Sequence, residues 1–439
     1  MQKRLLTGLA ALMLALGAPI ITACGGSEET STAGGSAEAT AAGTEATESG
    51  TEATAAATGE PIRIAFNAGF TGSEVFDCAL AQKGIRTALE MLGNQVAGRP
   101  IEYIEVDNAS DPLAAVEWTR ALLETDTNND GTRDPINFMC GPLSSGSTAS
   151  VTYFLGQREE KNERIPQCSV TGQPSDNIAT ASKVGFIPNG IYSSHGYYLG
   201  KYAAEVLKYK TANCIHYEDR IAEELQAGFE AGFGEGGGKI TSVTYVPADT
   251  TDFAASFAAL QPSDCTMFWV RGKGAIPFVQ QYAGAGLTAS LLVPMANNYS
   301  ETQLQYLDAL GLGLGIVACD VYTPMLDNPV NDEFIAAYRR LYPGEYPTPE
   351  AFGGWQAIML YAEGVKTLDG DTSDPAKVIK AMSTLSMNTP AGTITMTPYA
   401  SERTYVAIRD LYIVRSQSVG GGRVAWAPIE TYPQVLLGE

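Results

Sequence analysis

The chain has 439 residues, a formal net charge of −21, seven cysteines and only two histidines. Such an acidic balance argues against nucleic acid or anionic lipid headgroups as partners, and the length suits two folded domains rather than one. The scarcity of histidine leaves few ways to build a nucleophile–base pair or a metal cluster.

From the start of the chain, Lys3 and Arg4 precede an apolar stretch from Leu5 to Ile21, which has the layout of a secretory signal. Ile21-Thr22-Ala23-Cys24 then resembles the lipobox of bacterial lipoproteins. Residues 1–23 are read as a signal peptide that is removed, and Cys24 as the lipidated residue that anchors the protein to a membrane. The other reading, a transmembrane anchor, is disfavoured by the shortness of the apolar run, its Gly8 and Pro19, and the lack of a basic flank after it. Because one diacyl chain holds a protein only reversibly, a third acyl group or a partner in the membrane is expected to hold it there. Residues 25–60 are almost all Gly, Ser, Thr, Ala and Glu, with no aromatic or large aliphatic side chain before Ile62. Residues 24–60 are therefore read as a lipidated tether.

Beyond the tether, short apolar runs alternate with longer helix-period segments, the signature of parallel α/β architecture. Strands are predicted at Ile62–Phe66, Ile101–Val106, Ile136–Cys140, Ile165–Val170 and Val184–Ile187. A second set runs Cys214–Tyr217, Ile240–Val246, Cys265–Val270, Leu291–Val293 and Ile316–Tyr322. Intervening helices are predicted at Leu113–Leu123, Tyr197–Leu207, Ile221–Phe233 and Phe253–Leu260. Two successive five-strand units point to two doubly wound parallel-sheet lobes. After Tyr322 come two helices, Asp332–Tyr342 and Glu350–Leu368, and then a β-rich tail with strands at Tyr405–Ile408 and Leu411–Val414 and a turn at Gly420-Gly421-Gly422.

Several motifs in this order carry a family resemblance: Ile62 to Gly72 followed by a helix, Gly141-Pro142-Leu143-Ser144-Ser145-Gly146-Ser147-Thr148, Ile165-Pro166-Gln167-Cys168-Ser169 and Phe352-Gly353-Gly354-Trp355-Gln356-Ala357. Together they resemble the branched-chain amino-acid binding proteins of ABC importers, over residues 61–439. The resemblance implies a type I periplasmic-binding-protein fold, with two α/β lobes, a cleft and three hinge crossings. The N-terminal lobe would take residues 61–190 plus 324–390, and the C-terminal lobe 191–323 plus 391–439. It also implies an extracytoplasmic, monomeric protein, not an enzyme, that captures a small solute and delivers it to an ABC transporter permease. The solute would be an amino acid, an amide or a related carboxylic acid. A ligand-sensing receptor component of the same fold stays open as the alternative.

Ligands of open parallel sheets sit beyond the carboxyl ends of the strands, where helix N-termini converge. Ser144 and Ser145 fit such a place, although plain helix capping accounts for them equally well; the resemblance assigns Ser145 to the ligand. It also assigns Thr171, Gly172 and Gln173, with Gln173 standing where the family has Thr. Phe76 and Asp77 fall where the family places an aromatic or polar wall, and a core role for Phe76 is the competing reading. Ile221-Ala222 stands in place of a family Tyr-Gly pair. Arg271 either pairs with a carboxylate or lies solvated at the rim. Asn297-Asn298 occupies the place of a family carboxylate for a ligand ammonium, so either Asp320 or Asp77 takes that role or the ligand has no ammonium.

One further loop has chemistry of its own. Asp126, Asn128, Asp130, Thr132 and Asp134 place oxygens at alternating positions around Gly131, a spacing that suits a structural Ca²⁺. Asn137 stands where an EF-hand has its closing Glu, so shorter extracellular calcium loops are the better comparison, and an acidic surface turn is the competing reading. No other cofactor is indicated. After Cys24 the even set Cys78, Cys140, Cys168, Cys214, Cys265 and Cys319 predicts at least one disulfide outside the cytoplasm, with buried free thiols as the other reading. His195 and His216 are read as structural.

Overall fold

The computed structural model describes residues 58–126, 131, 133–158, 164–180, 184–399 and 404–438. Cys24 and the tether up to residue 57 lie outside the described residues, as do Asn128, Asp130 and Thr132.

The first half runs β1 (Ile62–Ala68), α1 (Val75–Met91), β2 (Gln95–Val96), β3 (Arg99–Asp107), α2 (Pro112–Glu124), β4 (Phe138–Cys140), α3 (Ser145–Gly156), β5 (Gln167–Cys168), α4 (Ser175–Thr180) and β6 (Gly185–Ile187). A second half repeats the plan with α5 (Tyr192–Glu205), β7 (Thr211–Tyr217), α6 (Arg220–Glu235), β8 (Lys239–Val246), α7 (Ala254–Ala258), β9 (Cys265–Trp269), α8 (Ala275–Gly284), β10 (Ser290–Val293), α9 (Glu301–Ala309) and β11 (Val317–Asp320). The closing segment is α10 (Pro329–Leu341), α11 (Pro349–Lys366), α12 (Pro375–Ser383), β12 (Ser386–Thr389), β13 (Gly392–Tyr399), β14 (Thr404–Gly420) and β15 (Arg423–Leu436).

The strands lie in the order β2-β3-β1-β4-β5-β6-β14-β11-β10-β9-β7-β8. In each half the first parallel strand is flanked by the second and the third, so both are wound alike. Every residue of β1 is buried, as expected for a parallel strand covered by helices on both faces, whereas the edge strand β8 is largely half-exposed.

The tail differs from its sequence reading. Instead of two strands at Tyr405–Ile408 and Leu411–Val414, β14 is one long strand, because β15 pairs along almost all of it and absorbs an irregularity between Arg409 and Leu411. Its first residues, Thr404–Val406, run parallel to β6, while Tyr412–Arg415 run antiparallel to β11. A lobe boundary at residue 390 therefore does not follow the strands, since β14 pairs with both halves. The chain passes between halves after β6, after β11 and within β14.

Local chemistry explains most helix starts. Asp111, Asn328, Thr348 and Asp374 each cap a helix whose next residue is proline, and each accepts first-turn N–H bonds. Proline costs nothing there, because its missing N–H would be unsatisfied anyway. Helix α11 is buried along most of its length and lies against α1, with Tyr322 stacked on Phe352 at 4.7 Å.

The expected disulfide is corrected: all six described cysteines are buried free thiols. They lie on α1, β4, β5, β7, β9 and β11, packed within the apolar core rather than in the exposed loops where bridges staple small domains. Burial pushes the Cys78 and Cys265 thiols up to about 12, so they behave as small apolar groups.

Candidate functional site

The carboxyl ends of the strands in both halves converge on a cavity of about 280 Å³. The first half contributes Glu74 ahead of α1, Asp77 on it, and Leu143, Ser144 and Ser145 between β4 and α3. Ser144 caps α3, its Oγ accepting from the Ser147 N–H at 3.2 Å and its carbonyl from the Thr148 N–H at 2.8 Å. Ser145 Oγ is enclosed with no hydrogen-bond partner among the described residues. Thr171, after β5, closes this side, and Tyr192 at the start of α5 faces it from the second half.

The second half supplies Asp219, Arg220, Ile221, Trp269, Arg271, Met295 and Asn297, and Glu350 comes from the first turn of α11. Asp219 caps α6 by accepting from the Ala222 N–H at 2.6 Å. Trp269 is 1% exposed and its Nε1–H has no partner among the described residues. Arg271 lies 5.2 Å from the Trp269 ring centroid and donates to Asp77 Oδ2 at 2.7 Å. That ion pair links the two halves across the cavity.

A recess of about 20 Å³, room for roughly one water-sized group, adjoins the cavity and is lined by Gly172, Asn189, His195, Asp320 and Glu350. Asp320 accepts from the Val321 N–H at 2.7 Å and the Asn297 N–H at 3.3 Å. Burial nevertheless pushes its carboxyl up to about 6, and burial, aided by the negative charge of Asp77, pushes Glu350 up to about 7. Burial also raises Glu74 and Asp219. The same desolvation acts oppositely on the imidazoles, taking His195 down to about 4 and His216 down to about 3. Neutral, buried rings fit the structural reading of both.

Of the ten residues singled out in the sequence, the structure gathers Asp77, Ser144, Ser145, Thr171, Arg271 and Asn297 on the cavity wall, and Gly172 and Asp320 on the recess. Two fall elsewhere. Phe76 is 62% exposed and does not line the cavity; one step before Asp77 on α1, its side chain leaves the helix in a different direction. Gln173 is fully buried and its amide donates to Ser169 Oγ at 3.0 Å, tying down the loop it was expected to present to a ligand. Reading the sequence missed Glu74, Tyr192, Asp219, Trp269 and Glu350. Asp219 and Glu350 carried a usable signal, since each lies at a helix start just beyond a strand or a Thr-Pro cap; Trp269 carried none. Around residues 126–134, Asp126 Oδ2 accepts from the Gly131 N–H at 2.9 Å.

A comparison with family models matches residues 61–422 to the periplasmic binding proteins. The chain belongs to that family. Solved structures agree on the fold. An ABC transporter substrate-binding protein from Sphaerobacter thermophilus is 23% identical, with 85% of this chain and 98% of that one covered at a TM-score of 0.74. A solute-binding protein from R. palustris in complex with benzoate is 21% identical over 86% and 96% of the two chains, TM-score 0.69. The branched-chain amino-acid transporter substrate-binding protein of Streptococcus pneumoniae, in complex with isoleucine, is 20% identical over 84% and 99%, TM-score 0.68. A comparison with curated proteins found no match. No helix among the described residues of the binding protein is long and apolar enough to cross a membrane.

Proposed function

We propose that this binding protein captures a small polar solute in the cavity between its two halves and delivers it to the permease of an ABC importer on the extracytoplasmic side of the membrane. The observation that carries this reading is the cavity itself: both halves line it, and the Arg271–Asp77 pair joins them across it. Ligand capture then amounts to hinge closure about the three crossings, with solvent excluded from a few placed polar groups. Its size lies at the small end of ligand pockets, which suits a single amino-acid-sized or benzoate-sized molecule. Family membership and the ABC transporter proteins among its structural neighbours support the transport role. The protein acts as a monomer, tethered by a lipid on Cys24.

The test is thermal unfolding of the purified full-length protein against amino acids, amides and aromatic acids. A ligand at 100 times its dissociation constant adds about 2.7 kcal/mol of stability. No ligand-dependent stabilisation by any of these compounds would refute solute capture.

Residues 126–134 are proposed as a structural Ca²⁺ site, supported by the oxygen spacing in the sequence. Calorimetry on chelator-treated protein should register Ca²⁺ binding with roughly 0.1–1 mM affinity. Absence of heat, together with unchanged melting of Asp126→Ala, would leave the loop an acidic turn.

A further inference from the structure

Two ion pairs among the described residues join the first half of the molecule to the second, and both are built the same way. Asp77 on α1 accepts from Arg271, just after β9, at 2.7 Å, and Asp176 on α4 lies 3.3 Å from Arg220 at the start of α6. Each time the acid comes from the first half and the guanidinium from the second. Beside the second pair, the Ser175 hydroxyl of α4 donates to the Glu224 carboxylate of α6. Both arginines line the cavity. Of the two readings the sequence leaves for Arg271, a carboxylate partner is the one realised, and that carboxylate is the protein's own.

Each arginine is also held by its own half. Arg271 lies over the Trp269 ring, 5.2 Å from its centroid, and the Tyr217 hydroxyl donates to its carbonyl at 3.2 Å. Arg220 is flanked along α6 by Glu223 and Glu224, at 3.1 Å each. A side chain fixed in this way loses little further freedom on meeting its partner, so more of the attraction goes into drawing the halves together. The two pairs are unequal. The side chains of Arg271 and Asp77 are 34% and 22% exposed, against 51% and 58% for Arg220 and Asp176, and an exposed ion pair is worth little by itself.

We infer that Arg271 and Arg220 are positioning residues that clasp the two halves shut over the cavity, with Arg271–Asp77 as the principal clasp. They act on closure and not on any one solute. Apparent affinity scales with the fraction of molecules in the binding-competent form. The clasps therefore raise the affinity of every solute the cavity accepts by the same factor, and that factor falls as salt screens the pairs. The inference goes beyond solute capture, because it concerns what holds the halves together.

The test is the distance between spin labels at Leu113→Cys on α2 and Val243→Cys on β8, both exposed and one in each half. It is measured in the full-length protein with no solute added and with Cys24→Ser so that this position takes no label. The other six cysteines are buried. Asp77→Asn should lengthen and broaden the distance, as should raising salt from about 0.05 to 0.5 M in the parent. Asp176→Asn should give a smaller change of the same sign. The reversed pair, Asp77→Arg with Arg271→Asp, should restore the parent's distance, which mere repair of packing would not do. In calorimetry with L-leucine and benzoate, Asp77→Asn should weaken each compound the parent binds by the same factor, about tenfold. An unchanged distance in both Asp77→Asn and Arg271→Gln overturns the inference, and so does a reversed pair that stays open. Losses that differ by more than a few fold between the two compounds would make these residues ligand contacts and overturn the positioning role. The distances need no solute, so a failure of solute capture shows in the binding panel alone.

Discussion

Glu350 and Trp269 show how single residues depart from what their types usually do. A carboxyl held at about 7 in the folded chain and near 4.5 when exposed binds more protons folded than unfolded. Its ionisation therefore costs stability as pH rises from about 4.5 to 7, and the penalty is complete above that window. Glu350→Gln should accordingly make the ligand-free protein more stable than the parent at pH 8, by about 1–3 kcal/mol, with the difference vanishing near pH 4.5 in paired melting curves. The histidines work in the opposite direction: with folded values of about 4 and 3, His195 and His216 contribute stability that is full above pH 6.5 and lost as pH falls through those values. For Trp269 the expectation separates stability from binding. Its N–H has no partner among the described residues, so Trp269→Phe should change melting by about 1 kcal/mol or less beyond the volume lost, yet, because Trp269 lines the cavity, weaken ligand binding by roughly tenfold.

Among the elements, the helix pairs are set by glycine. Helices α5 and α6 meet through Gly196 and Gly200 on one and Gly228 and Gly232 on the other, where an added Cβ would collide with the facing backbone. Gly84 on α1 and Gly354 on α11 make the same kind of contact. Because the obstacle is main chain rather than a flexible side chain, relief requires the helices to move apart. Gly228→Ala should cost about 1–3 kcal/mol, measured as a lower midpoint in urea with an unchanged slope. A matching loss at Gly234, where a Cβ meets nothing within 4 Å, would refute the backbone-contact account.

Across the whole molecule the crossings between halves meet at one buried charge. Arg409 on β14 is fully buried and donates to the Pro188 carbonyl, Asn189 Oδ1, Gln356 Oε1 and the Val321 carbonyl, at 3.0–3.3 Å, while lying over Phe352 at 5.2 Å. It thus ties the segment after β6, the segment after β11 and helix α11 to the strand shared by both halves. Burial takes its guanidinium down to about 10, still charged at neutral pH. Arg409→Met would leave the Pro188 carbonyl, Gln356 Oε1 and the Val321 carbonyl without their donor, Asn189 Oδ1 keeping the Gln356 amide, and should destabilise the protein by about 3–5 kcal/mol, far more than removal of the exposed Lys273–Asp249 pair, whose worth is about 0–1 kcal/mol. Equal losses at the two places would show that Arg409 is not the common fastening of the crossings.

Much of the architecture was legible without coordinates, because strand and helix periodicity is local and the alternation of the two sets a doubly wound sheet. Ser144 and Ser145 follow a strand and open a helix, a place that left capping and binding equally open, and it was the family resemblance that assigned Ser145 and Thr171 to a ligand. Helix α12 went unread although Asp374-Pro375 announces its start. Glu74, Asp219, Trp269 and Glu350 were beyond reach as a group, since four unconnected elements bring them together and no spacing along the chain records that meeting. The reversal of Phe76 and Gln173 has the same origin, because the direction of a side chain follows from the packing around it. By itself, then, the sequence determined the kinds of element, their order and the family to which they add up. Only the tertiary structure decided which charges share one cavity and how deeply each is buried there, because electrostatic balance depends on distance and burial in space.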